Sequence, residues 1–466
     1  MKKKICILVD NPLRDLDGVG LLAWHLACQD VEVHLVPLYN QAFDVFALAP
    51  EAVVVNYVRT NNVDFLKRVH NRGIKIIVLD TEGTPSPDLS LYVSSVNRLN
   101  CDEFVSKYLH WGHDQLKIFK LNKVLPDDRL ALTGCPRYDF CVEPFRGTLP
   151  EPKASKPHYI LINTTFSQAN PKFTSGPEHE IESMVRLGFS MAHSQRYVAD
   201  NQRAFLKIID LIRALADRYP DEHFVLRPHP FENMRAYEEQ IQNSNFEVRQ
   251  EGTSLQWING SKCVLHLNCL TSVEAVLMGK EAINFDWLNT EALLHNSPAL
   301  NVSRLPENQD ALFDLLDRII AGIPLPEDRG LLTNREVIVE SRFFANDGQS
   351  SSRAAREIIK VLETPNLLLR QLIVKVSLKQ LARNFIGFKY FHKIRKKLEA
   401  KSSDARRESK LFSCDEVSEI ISRIERALGA NQKVLVSQSP ESSFVKRHMS
   451  SRQSIQLLKN KHPVET

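Results

Sequence analysis

The chain has 466 residues, 43% hydrophobic and 25% charged, with a formal net charge of +4. That length predicts two or three domains with cores needing neither disulfides nor metals. The small net charge excludes a whole-molecule polyanion binder, and the eight cysteines are scattered without C-x-x-C pairs or zinc spacing. A reducing cytosol is the compartment this implies. After Met1-Lys2-Lys3-Lys4 the apolar run Ile5–Val9 ends at Asp10, too short for a signal-peptide core. No apolar stretch reaches transmembrane length.

In chain order, Ile5–Val9 reads as a strand, Gly18–Cys28 as a helix, and Val31–Val36 and Ala52–Val55 as strands. Val63–Asn71 follows as a helix and Ile74–Leu79 as a strand ending at Asp80. Short all-apolar strands alternating with helices predict a parallel sheet covered on both faces. Residues 141–157 carry four prolines and little periodicity. They read as a linker, taken as 146–157, between domains 1–145 and 158–363. The pattern then restarts with strands Tyr159–Ile162, His223–Leu226, Cys263–Leu267 and Ala282–Phe285. Helices Arg203–Tyr219 and Val273–Met278 lie between them, and a last helix over Asp347–Leu362 closes the domain. Residues 364–466 read as a basic helical tail, partly disordered, with Pro440–Thr466 fraying. From Asn366 to Ser402 there are ten Lys or Arg against one acid, with Leu, Ile and Phe interleaved. Such a segment suits an anionic membrane surface. A helix packed on the protein is the alternative. Nucleic acid ranks last, because aromatic stacking motifs are absent.

In open α/β sheets ligands bind beyond the carboxyl ends of strands, so polar motifs placed there carry most weight. Arg227-Pro228-His229-Pro230 presents a cation and an imidazole on a proline-fixed turn, suited to phosphate or a sugar carboxylate. A rigid structural turn is the competing reading. Asn268-Cys269-Leu270-Thr271-Ser272-Val273-Glu274 follows a strand and opens a helix, where N–H groups and hydroxyls favour an anion. Thr271 and Glu274 also have capping-box spacing. Asp80-Thr81-Glu82-Gly83-Thr84 offers two carboxylates, Asp80 and Glu82, as base or nucleophile, or else a solvated turn. In Asp10-Asn11-Pro12-Leu13-Arg14-Asp15, Arg14 and Asp15 either bind acceptor groups or lock one another. Thr133–Asp139 and Asn163-Thr164-Thr165 flank the linker, the former read as hinge or packing. Neither a P-loop, a G-x-S-x-G elbow nor a dinucleotide fingerprint occurs. The D-x-D spelling at Asp15-Leu16-Asp17 sits away from the donor half, so no metal site is expected.

These motifs, in this order, resemble the bacterial surface carbohydrate biosynthesis protein family. Its members are glycosyltransferase-B-like proteins related to capsule and lipopolysaccharide Kdo transferases. More distant relatives are bacterial sialyltransferases and CDP-glycerol glycerophosphotransferases. The segments are DNPLRDLD (10–17), TGCPRYD (133–139), LINTTFSQAN (161–170), RPHP (227–230) and LTSVEAVLMGK (270–280). The resemblance implies two Rossmann-like domains facing a cleft, with the basic tail appended. It implies a metal-independent glycosyltransferase without a cofactor, whose substrate is a nucleotide-sugar donor such as a CMP-linked acidic sugar. His229-Pro230 and Thr271-Ser272 map onto the residues that hold the nucleotide. Arg227, Asn268, Glu274, Asn163 and Thr164 complete the expected donor site, and Arg14 and Asp15 the acceptor site. The family's acid-acid-glycine motif has Thr81-Glu82-Gly83 as its nearest match, so Glu82 is favoured over Asp80 as the catalytic carboxylate. The resemblance implies a glycan or lipid-linked glycan as acceptor, and the basic tail predicts a cytoplasmic enzyme peripheral to the inner membrane. CDP-polyol phosphotransfer and a non-catalytic scaffold in polysaccharide assembly are the alternatives.

Overall fold

The computed structural model describes residues 2–80, 89–174, 176–186, 189–290, 298–365, 408–439 and 454–460. Two compact units emerge, one of Met1–Thr148 with Glu340–Thr466, the other of Leu149–Val339. In chain order the strands are β1 (Lys4–Val9), β2 (Glu32–Pro37), β3 (Ala52–Val55), β4 (Lys75–Leu79), β5 (Val105–His110) and β6 (Leu130–Leu132). There follow β7 (Ile160–Asn163), β8 (Phe224–Arg227), β9 (Phe246–Val248), β10 (Cys263–His266), β11 (Glu281–Asn284), β12 (Val434–Gln438) and β13 (Ile455–Lys459).

The N-terminal unit holds the sheet β12-β13-β2-β1-β3-β4-β5-β6. Strands β1 to β6 pair in parallel. Because β1, β3 and β4 are almost wholly apolar and buried, both faces must be covered. Helix Pro12–Cys28 begins with proline at its first turn, where the missing N–H costs nothing. It needs glycine at two contacts. A β-carbon at Gly18 would lie 2.5 Å from the backbone N of Arg137, and one at Gly20 2.8 Å from Ile420.

The chain divides at 340 rather than at the expected 363, and of the expected tail 364–466 residues 408–439 and 454–460 are described while most of the rest lies outside the described residues. Helix Ser350–Glu363 belongs to the N-terminal unit, not to the C-terminal half. Its anchor is Asp139, whose two carboxylate oxygens accept from the backbone N–H groups of Ser350 (2.8 Å) and Ser351 (2.7 Å). Arg353 adds a bond to the carbonyl of Thr133 at 2.9 Å. The motif 133–139 is thus a receptor for the returning helix, which gives its packing role a definite partner. Beyond it, helix Cys414–Ala427 carries a full capping box at Ser413 and Glu416. Strand β13 pairs antiparallel with β2, setting Ile455 beside Leu35 and Leu457 beside Val33, and β12 pairs with β13. These apolar pairs supply burial that a polar composition count misses. The basic stretch 366–402 lies outside the described residues.

The C-terminal unit is a five-stranded parallel sheet in the order β11-β10-β7-β8-β9. From β7 the chain winds outward through β8 and β9, then returns to β10 on the other side of β7. The direction of winding therefore reverses between β7 and β10, which is the topological switch point of a doubly wound sheet. The long helix Met191–Arg218, capped by the Ser190 hydroxyl, buries Phe205, Ile208, Ile212 and Leu215 in the core of this unit.

Candidate functional site at the switch point of the C-terminal unit

The carboxyl ends of β7 and β10 are tied together at the switch point. Asn163, the last residue of β7, donates from Nδ2 to Thr271 Oγ1 at 2.8 Å. Thr165 Oγ1 donates to the carbonyl of Leu267 at 3.2 Å. The turn after β10 is shaped by His266. Burial pushes its imidazole down to about 3, so the ring stays neutral. Its Nδ1 accepts from the Cys269 N–H at 3.2 Å, which leaves Nε2–H to donate to Ser303 Oγ at 2.8 Å. Asn268 adopts a left-handed backbone (φ 52°), which asparagine tolerates well. Its side chain bonds Asn289 at 2.7 Å and accepts from Asn284 at 3.3 Å.

The capping box expected at Thr271 and Glu274 is not formed. Leu270 occupies the N-cap position without a side-chain bond, and Thr271 is the first residue of the helix Thr271–Leu277. With Thr271 already inside the helix, its hydroxyl is aimed sideways, accepting from Asn163 and donating to Cys269 Sγ at 3.1 Å. The Ser272 hydroxyl is buried and donates to the Cys269 carbonyl at 2.8 Å. Glu274 accepts from Ser254 Oγ at 2.6 Å instead of reaching back to the cap.

At the end of β8 the two members of the expected anion pair part company. The Arg227 guanidinium turns to the loop after β9. Nη2 donates to the carbonyls of Gly252 (2.9 Å) and Glu251 (3.2 Å), above the Trp257 ring at 5.8 Å. Burial pushes its pKa down to about 10, so it remains a cation. Arg227 thereby holds the loop in place. His229, in contrast, is exposed. Its Nδ1 accepts from the Phe231 N–H at 3.2 Å, so the neutral ring carries its proton on Nε2. Pro228 and Pro230 fix φ on either side of it. With Nδ1 already accepting a backbone N–H, proton abstraction by that nitrogen is disfavoured.

Glu232 is the residue that motif reading missed. It is fully buried and gathers donors from the loops after β7 and β8, Thr164 among them. Nothing in Phe231-Glu232-Asn233 distinguishes it from a surface acid. The only available signal was its place two residues after Pro230.

In the N-terminal unit the predicted residues divide similarly. Arg14 and Asp15 bind each other, Nε to Oδ1 at 2.7 Å and Nη2 to Oδ2 at 3.0 Å. Arg14 also reaches Asp10 at 3.4 Å, and Lys410 from the C-terminal segment meets Asp10 at 3.1 Å. Of the two readings left open for this motif, the mutual lock is formed. Asp80 ends β4 buried, with its carboxylate accepting from the hydroxyls of Tyr92 and Tyr108. Burial and the Asp80 charge push both phenols upward. A carboxylate enclosed by two phenols is poorly placed to meet a substrate. Glu82 lies outside the described residues.

No protein-family model matches the chain, and no curated protein matches its sequence. Solved structures do match. A Listeria monocytogenes protein described as a UDP-N-acetylglucosamine 2-epimerase shares a TM-score of 0.50 at 12% identity, over 78% of this chain and 98% of its own. The S. aureus MnaA–UDP structure gives 0.49 at 15% identity, over 78% and 99%. The wall teichoic acid polymerase TagF soaked with CDPG gives 0.47 at 12%, over 77% and 88%. At such identities the Listeria likeness is one of fold, and it agrees with the two sheets described above: the chain has a glycosyltransferase-B-like α/β fold.

Proposed function

We propose that this chain is an enzyme that transfers a sugar from a nucleotide-activated donor to a bacterial surface polysaccharide or lipopolysaccharide. The observation that carries this reading is the bond between Asn163 and Thr271 across the switch point, with the His229 imidazole exposed on the loop at the neighbouring strand end. Neutral donors held in fixed geometry stabilise a phosphate leaving group without reorganising during the reaction. His229 and Thr271 contact the nucleotide phosphates in this account, while Arg227 holds the loop beside them. Asn268, Ser272 and Glu274 shape the wall of the same site, with Pro230 fixing His229. A CMP-linked acidic sugar such as Kdo is the donor that the motif order favours. With Asp80 enclosed, Glu82 is the carboxylate assigned to catalysis, as base in an inverting reaction or nucleophile in a retaining one. Arg14 and Asp15 serve the acceptor side as a preformed pair.

Among the described residues no helix is long and apolar enough to cross a membrane. The basic stretch 366–402 is flanked by two described segments of the N-terminal unit, Ser350–Glu363 and Cys414–Ala427. It would hold that unit against an anionic bilayer in the cytoplasm, close to a lipid-linked acceptor. Replacing His229 with Ala should abolish turnover of the donor while leaving the far-ultraviolet dichroism and melting curve unchanged. Retention of near-wild-type turnover contradicts the assignment. Product mass then separates sugar transfer from transfer of a polyol phosphate, and an epimerised donor, which keeps the donor's mass, is recognised by its proton coupling constants.

A further inference from the structure

Burying a carboxylate is unfavourable unless hydrogen-bond donors replace its lost water. Glu232 meets that demand with four. Oε1 accepts from the backbone N–H of Phe166 at 2.9 Å and of His229 at 3.0 Å. Oε2 accepts from Thr164 Oγ1 at 3.0 Å and from the Tyr237 hydroxyl at 2.5 Å. Four is about the full capacity of an ionised carboxylate. The donors come from three segments: the loop after β7, the loop after β8, and the helix Arg235–Glu238. Around this group the two loops are paired further. Lys172 N–H donates to the Phe231 carbonyl at 2.8 Å, and Asn233 N–H to the Asn170 carbonyl at 3.1 Å. Asn170 Nδ2 returns a bond to the Asn233 carbonyl at 2.9 Å.

We infer that Glu232 is a positioning residue of the donor site, its carboxylate holding the His229 and Thr164 segments in one arrangement that loosens when the negative charge is lost. This inference rests on the donor reading above. Glu232 touches neither phosphate nor sugar. It acts through the backbone of His229 and the hydroxyl of Thr164.

Burial pushes the Glu232 carboxyl up to about 7, against the opposing pull of its four donors. The titratable groups facing it are Tyr237 on the short helix and Cys269 on the loop after β10, while His229 meets it through its backbone N–H. Burial pushes the Tyr237 phenol and the Cys269 thiol upward, so both stay neutral near pH 7. A protonated Glu232 keeps an acceptor for fewer than four donors, and one of the paired loops then lets go. Donor affinity therefore falls as the pH drops through neutrality. A simple like-charge effect would have the opposite sign, because a neutral Glu232 would repel phosphate less.

The test has two arms on the full-length protein. In the first, the backbone amide resonances of Phe166 and His229 are followed without ligand from about pH 5.5 to about pH 8.5, a range that brackets the carboxyl's titration. Both should move together in one step. The midpoint should rise in Tyr237→Phe, which removes a donor to the charged form, and the step should vanish in Glu232→Gln. Separate midpoints, or the same step retained in Glu232→Gln, overturn the inference. In the second arm, CDP, CMP and UDP are titrated by calorimetry. Wild-type affinity for the nucleotide that binds should fall about tenfold between about pH 8 and about pH 6, and Glu232→Gln should bind weakly without that drop. A rise in wild-type affinity on acidification beyond that of Glu232→Gln overturns the inference. If none of the three nucleotides binds while the shared amide step persists, the donor reading fails and the loop coupling stands.

Discussion

The strand ends of the two units use opposite chemistry. Around β1 the polar groups are ions that satisfy each other: Asp10 with Lys410 and Arg14, Arg14 with Asp15, Asp17 with Arg423. Around β7, β8 and β10 they are mainly amides and hydroxyls with an exposed imidazole; the cation Arg227 is turned to backbone carbonyls, and the carboxylate of Glu232 is buried among four donors. Ion pairs taken out of water are rigid but carry little capacity for a further charge. Neutral donors held in place can turn to an anion at the cost of one neutral hydrogen bond, such as that from Thr271 to Cys269 Sγ. The difference teaches that a count of charges does not say whether those charges are already satisfied by one another.

Substitutions on the two sides should separate stability from binding, beginning with the largest effect. Asp10→Ala leaves Lys410 and Arg14 without their shared partner and should lower stability by about 3 kcal/mol in urea unfolding, with nucleotide affinity unchanged. A large loss of nucleotide affinity in that variant would erase the contrast. Asp139→Ala removes the acceptor for two buried N–H groups at the start of Ser350–Glu363 and should cost about 2 kcal/mol by the same assay.

Glu232 gives the comparison a pH axis. The carboxyl is raised from an ordinary value of about 4.3 to about 7 in the folded chain. A raised carboxyl favours the folded state while protonated, and that contribution is lost as pH climbs from the lower value to the higher. Relative to Glu232→Gln, the wild type should therefore lose melting temperature between about pH 5 and about pH 8, by an amount bounded near 3 kcal/mol. A constant difference across that range would mean the carboxyl titrates normally. The smallest stability effect belongs to Thr271→Val, which removes the acceptor for Asn163 and should cost about 1 kcal/mol. Its nucleotide affinity should nevertheless fall, reversing the order seen at Asp10.

How much of this was legible beforehand follows from range. Strands β1, β4, β7, β8 and β10 each contain a short apolar run with a polar residue only at one end, and each announces itself within a few residues. Strands β12 and β13 do not, because β13 pairs with β2 some four hundred residues away and β12 is added to the sheet through β13. The same distance hid Lys410, whose partner Asp10 lies at the other end of the chain. Within the candidate site, His229 was legible from two prolines after a strand. The direction of Arg227 was not, since carbonyls 250–252 and Trp257 approach it only in the fold. The Thr271 cap failed for a smaller reason. The helix begins one residue earlier than the capping-box spacing requires, so the hydroxyl faces Asn163 rather than its own backbone.

The central claim is that the switch point of the C-terminal unit holds nucleotide phosphates through neutral donors. A crystal structure of the full-length protein soaked with a cytidine or uridine nucleotide tests it most directly. The account predicts phosphate oxygens within hydrogen-bond distance of His229 Nε2 and Thr271 Oγ1, with Arg227 still bonded to the carbonyls of Glu251 and Gly252. A nucleotide bound instead at Asp10, Arg14 and Lys410, or phosphates held by a reoriented Arg227 with His229 untouched, would contradict it.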